Sequence, residues 1–162
     1  MGRKEWLLGR RGVTLLELII TLVILSVLAG TVLPLAEISV KRSKELELRR
    51  ALRVVRNAID EYKDDFGRAV EEKKIIPAMN DTGYPKTLDE LVEGKDWGGL
   101  YNLKRKYLRR VPRDPLDNEE LGWGLRSYAD PPDSTVWGGE DIFDIYSQNP
   151  GTGLDGTPYQ SW

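Results

Sequence analysis

From Val13 to Ala36 the chain reads VTLLELIITLVILSVLAGTVLPLA, with one ionisable side chain, Glu17, and four small hydroxyls at Thr14, Thr21, Ser26 and Thr31. At ~1.5 Å per residue, Val13 to Leu33 makes a helix of roughly 31 Å, which matches a hydrocarbon core of ~30 Å. A single helix therefore spans. Ahead of it, Met1 to Gly12 carries Arg3, Lys4, Arg10 and Arg11 against Glu5, a net of +3, which is the layout of a targeting segment. Lys41, Arg42, Lys44, Arg49 and Arg50 follow the span and nearly balance the leader, so charge counting leaves the orientation open. A secretory cut at Leu28-Ala29-Gly30 is a competing reading, but the run is long for a signal core and the helix beyond would lose its stem.

The rest of the chain is polar enough to bring mean hydropathy down to -0.44. It has neither His nor Cys, which excludes imidazole acid–base chemistry, thiol nucleophiles, His/Cys metal sites and disulfides. Beyond Pro34, Leu48, Leu52, Val55, Ile59, Tyr62 and Phe66 recur at spacings of four and three, one apolar stripe on a helix expected to stop between Asp65 and Gly67. Glu45 and Arg49 form an i,i+4 pair on it. The stripe is short for a coiled coil and suits packing onto a globular head. Acids interleave with its bases, which argues against nucleic acid.

The head is loop-rich. Thr87-Leu88-Asp89-Glu90 reads as a capping box opening a short helix that Gly94 stops. Tyr107 to Pro115 reads as extended chain running into a turn, and Gly122 to Tyr128 and Asp141 to Ser147 read as strands. Trp123, Trp137 and Trp162 read as packing residues. Gly151 to Gly156 spells G-x-G-x-x-G but lacks the strand, helix and downstream acid of a dinucleotide site. Six acids and no bases follow Arg126, a composition open to a hard cation, a carboxylate enzyme or a solvated surface.

The string Arg10-Arg11-Gly12-Val13-Thr14-Leu15-Leu16-Glu17 resembles the prepilin signal of type IV pilins and type II secretion pseudopilins. Counted from Val13, Glu17 is fifth and Pro34 twenty-second, where that family carries its Glu and its helix-bending Pro. Val13 stands where the family usually has Phe. YPKTLDELVEG (84–94), YLRRVPRDP (107–115) and FDIYS (143–147) resemble landmarks of the major, G-type pseudopilin, in its order. Segments 68–82 and 97–104 look like local insertions.

The resemblance implies an α+β, type IV pilin-like fold, a long N-terminal helix packed on a small antiparallel sheet. It divides the chain into a leader (1–12), a transmembrane and filament-core helix (13–36), an amphipathic helix (37–66) and a periplasmic head (67–162). It implies cleavage between Gly12 and Val13 by prepilin peptidase, N-methylation of Val13, a register role for Glu17 and a kink at Pro34. The chain would be a non-enzymatic subunit of the inner membrane, forming a homopolymer with help from an assembly platform and minor pseudopilins. No cofactor is certain. The family's calcium loop corresponds to Gln148 to Tyr159, which keeps one carboxylate, Asp155. A type IV pilus pilin is the rival function and a membrane-tethered carboxylate enzyme a more distant one. The absence of Cys favours secretion, because many pilins close a C-terminal loop with a disulfide. Cleavage leaves 20 Lys+Arg against 25 Asp+Glu, a net of -5.

Overall fold

The computed structural model describes residues 12–162, apart from the side chains of residues 31–34. The leader up to Arg11 and the side chain of Pro34 therefore lie outside the described residues. The elements are α1 (Leu15–Glu71), α2 (Asp89–Glu93), β1 (Trp123–Arg126), β2 (Asp144–Ser147) and a 3-10 turn at Tyr159–Ser161. This is an α+β chain with a long N-terminal helix and a small antiparallel sheet, of the pilin-like kind. It divides into two compact units, one ending at Val40 and one beginning at Lys41.

In the first unit, the described side chains of α1 are exposed, Leu15, Leu22 and Leu25 among them. The helix is long and apolar enough to cross a membrane. Its hydroxyls suit that medium, because Thr21 donates to the Leu18 carbonyl at 2.9 Å and Ser26 to the Leu22 carbonyl at 2.8 Å. Each is satisfied within the helix, so neither presents a bare polar group to hydrocarbon.

The second unit holds the core. Leu48, Leu52, Val55, Ile59 and Tyr62 are buried, as the apolar stripe predicts, and Leu91, Trp97, Ile142 and Ile145 close over them. Helix α1 does not stop near Gly67. The stripe continues to Ala69, which is fully buried, and that burial outweighs the ~1 kcal/mol cost of a glycine in a helix. The end is a Schellman motif, in which Lys74 N–H donates to the Ala69 carbonyl at 2.8 Å and Lys73 N–H to the Val70 carbonyl at 3.0 Å. Lys73 takes the left-handed φ of 56° that glycine usually supplies.

The capping box at Thr87 does not form. Leu88 is the N-cap of α2 and makes no side-chain cap bond. Glu90 turns instead to the core, where its carboxylate accepts from the Tyr62 hydroxyl at 2.6 Å. Gly94 does stop α2, with φ 79°, and a Cβ there would stand 2.7 Å from the Arg105 carbonyl oxygen.

Strands β1 and β2 pair antiparallel, Trp123 opposite Ser147 and Arg126 opposite Asp144. Both lie inside the longer stretches expected. Gly124 faces Tyr146, whose ring lies where a Cβ would go, and the Arg126 guanidinium stacks 4.1 Å from that ring. Trp123 is buried and Trp162 half-buried, as packing predicts. Trp137 is 40% exposed and is held mainly by its indole N–H, which donates to the Asp141 carbonyl at 2.7 Å. The largest buried side chain belongs to Trp97, in a segment that had looked like an insertion.

Candidate functional site

Gly12, Val13 and Thr14 precede the first turn of α1 without regular structure, and all three are exposed. A Cβ at Gly12 would meet nothing within 4 Å. Thr14 is the helix cap. Its hydroxyl accepts from Glu17 N–H at 3.2 Å, and its carbonyl accepts from Leu18 N–H at 3.1 Å. Thr-x-x-Glu is the capping-box spacing, so this signal was present in the sequence. The Glu17 carboxylate lies in the first turn, where the helix dipole favours a negative charge. Among the described residues it has no cationic partner. A free amine at Val13 would lie about one helical turn away and would supply one.

Asp155 lies in the C-terminal loop of the second unit. Its carboxylate pairs with the Arg49 guanidinium at 2.8 Å and accepts from the Thr157 N–H at 3.0 Å and hydroxyl at 2.6 Å. Those two bonds from Thr157, with Arg49 adding to them, hold it below the usual carboxylate range. The Lys41 ammonium donates to the Thr152 carbonyl at 2.8 Å. The Thr152 carbonyl and one Asp155 oxygen thus already serve two cations of the helix, and among the described residues no group of three or more acids is placed to hold a metal ion. The donor set does not suit calcium.

The helix instead clamps this loop through side chains one turn apart. Glu45 accepts from Leu154 N–H at 2.9 Å and from the Tyr159 hydroxyl at 2.8 Å, while the Arg49 guanidinium stacks 4.1 Å from Trp162. Glu45 and Arg49 thus do not pair with each other as their spacing suggested. Each finds a partner in the loop instead. Arg56 completes the clamp, donating to Asp144 at 2.6 Å, to the Ile145 carbonyl at 3.0 Å and to the Trp162 carbonyl at 2.8 Å. Burial, then the bond to Glu45, pushes the Tyr159 phenol up to about 12.

A second hub was not legible. Asp65 is fully buried and accepts from the Tyr101 and Tyr107 hydroxyls at 2.8 and 2.7 Å. Arg68 lies 2.5 Å from it, and Arg105 Nε lies 2.8 Å away at an angle that makes an ion pair rather than a hydrogen bond. Tyr107 in turn accepts from the Trp97 indole. Asp130, Asp141 and Asp144, beyond Arg126, are similarly engaged. Asp144 holds Arg56 and Arg126, and Asp130 accepts from Ser127 and Gly138 N–H. Asp141 accepts from Tyr128 N–H and from the Thr82 hydroxyl. These are structural partners.

The N-terminal geometry has a counterpart among known families, because residues 8–33 match the model of the prokaryotic N-terminal methylation motif. The chain carries a prepilin-type methylation motif. That motif supports a type IV pilin-like protein processed by prepilin peptidase, and it points to a structural subunit. The motif and the apolar helix together fit an inner-membrane anchor. Comparison with curated proteins and with solved structures finds no match.

Proposed function

We propose that this chain is a pseudopilin, cleaved between Gly12 and Val13, N-methylated at Val13 and stored in the inner membrane by residues 13–36 with its head in the periplasm. It then polymerises into a periplasmic pseudopilus that moves folded proteins through type II secretion. The observation that carries the reading is the Glu17 carboxylate, unpartnered among the described residues of an apolar helix, four residues beyond the amine that cleavage within the matched motif would free. A carboxylate in a medium of low dielectric is costly unless neutralised, and one amine per subunit neutralises one carboxylate. Pairing Glu17 with the Val13 amine of a neighbouring copy sets axial register, and Pro34 bends the helix so that copies pack.

A pseudopilin is favoured over a surface pilin because the C-terminal loop is closed by Glu45, Arg49 and Arg56 in a chain that has no Cys. The test is intact and N-terminal peptide mass spectrometry on protein from native membranes and from sheared filaments. We expect a start at Val13 that is heavier by one methyl. A Met1 start, or a cut near Gly30, overturns the reading.

A further inference from the structure

The second unit carries a basic groove of about 740 Å³ between α1 and the Arg110–Arg113 segment. Its apolar surface comes from Leu46, Ala51, Val54, Val111 and Pro112. Leu46 and Val54 are 59% and 46% exposed. Three guanidiniums, Arg50, Arg110 and Arg113, line it against the one carboxylate of Glu47. Elsewhere in this unit Arg49, Arg56, Arg68, Arg105 and Arg126 are bound to acids, while Arg42, Arg53 and Arg109 form no ion pair among the described residues. The three in the groove form no ion pair or hydrogen bond among the described residues.

The opposite flank of the same helix carries complementary chemistry. Tyr84, Tyr128 and Phe143 form an exposed aromatic triangle, with centroids 5.2 to 5.8 Å apart. Tyr128 is 61% and Phe143 43% exposed. Asp60 and Asp64 stand near it, and with burial as the larger cause they raise the pKa of the Tyr84 phenol. Asp81 and Glu140 line the hollow beside Tyr84. Two cations belong to the same neighbourhood. Lys63 lies 5.1 Å over Tyr84 and is committed to the Thr82 carbonyl, and Lys86 lines the hollow. Exposed aromatic faces beside carboxylates suit guanidinium, which stacks on the ring and bonds to the acid.

The two faces cannot meet within one copy. At ~100° per residue, Val54 and Asp60 lie about 120° to either side of the buried stripe, and Arg50 lies roughly 15 to 21 Å from Asp60 and Asp64 along the axis. We infer that the Arg50, Arg110 and Arg113 groove receives the Asp60, Asp64 and aromatic face of a second copy, displaced along the helix axis by about that distance. This contact joins two different patches of identical chains, so it propagates into an open polymer and does not close a dimer. It rests on the assembly reading above and names the head surfaces that reading requires.

The experiment uses the full chain in cells that assemble it, with the yield of sheared filament read against the membrane pool. Two variants are made, R50E/R113E and D60R/D64R, all at exposed positions outside the core. Each variant alone places like charges face to face, and we expect filament yield to fall about tenfold or more. Expressed together, each variant's groove fits the other's face, and yield returns toward that of the parent. That recovery also shows that both variants fold. Parental yield from either variant alone overturns the contact, as does a mixture that stays as low as its components. A parent that makes no filament overturns the assembly reading, and the contact falls with it.

Discussion

Glu17 has a local role and a proposed register role, and its chemistry allows the two to be separated. Its backbone N–H is capped by Thr14, and its charge lies at the positive end of the helix dipole. Neither needs another molecule. The register role does, because only an ionised carboxylate attracts an amine in hydrocarbon. Glutamine keeps the length of the side chain and its value at this capping position and removes the charge. Glu17→Gln is therefore expected to leave helix start and membrane insertion intact while lowering filament yield about tenfold or more, the loss of one ion pair in a poorly screened site. Fractionation and shearing measure the two separately. Parental filament yield from E17Q would leave Glu17 with its local role alone.

At the scale of elements, what was legible is what repeats. The stripe from Leu48 to Tyr62 was readable because helical burial imposes a period of three and four, and the strands because short runs rich in apolar and aromatic residues are bounded by turn residues. The end of α1 was not readable, because its stop signal is a conformation and not a residue type. Lys73 adopts the left-handed region that Gly67 had seemed to mark. Asp65 was hidden for a related reason. A carboxylate on a helix normally faces water, and only the arrival of Tyr101, Arg105 and Tyr107 from a distant segment makes its burial tolerable. The loop clamp was half visible, in the spacing of Glu45 and Arg49 but not in their partners. The N-terminal site was the clearest, being written in local sequence. One stability prediction follows from the helix end. A non-glycine residue held at positive φ costs roughly 1 kcal/mol, so Lys73→Gly is expected to stabilise the head by about that amount. A thermal melt checks it, and an unchanged or lower midpoint would show that the Lys73 side chain contributes more than its backbone costs.

At the scale of the molecule, the described core lies wholly in the second unit, since Glu45 is the first buried residue and the described residues before Lys41 contribute none. A chain begun at Lys41 is expected to fold without the membrane helix and to melt in one transition. Its pH dependence follows from groups already named. A protein without His or Cys has no side chain whose ordinary pKa lies near neutrality, so stability should be flat there. On the acid side, Asp117 is held low first by Gly122 N–H, Asp130 by Ser127 N–H and Asp155 by Thr157, each below the ordinary 3.8. The unfolded chain takes up protons there first, so this stability is complete above about pH 4 and is lost as pH falls further. On the alkaline side the sign reverses. Burial first, then bonds to Glu90 and Asp65, raises the Tyr62 and Tyr107 phenols, and Tyr159 titrates at about 12 against the ordinary 10.0. The folded state then holds protons that the unfolded state has released, so stability present below pH 10 declines as pH rises toward 12. Melts from pH 3 to 12 should therefore give a plateau with two falling edges. Tyr159→Phe should lower the plateau, by freeing Glu45 of a bond, and flatten part of the alkaline edge. A midpoint that does not move between pH 9 and 12 would mean that the phenols are not buried against their carboxylates, and with them would go the hub at Asp65 that anchors the end of the long helix to the head.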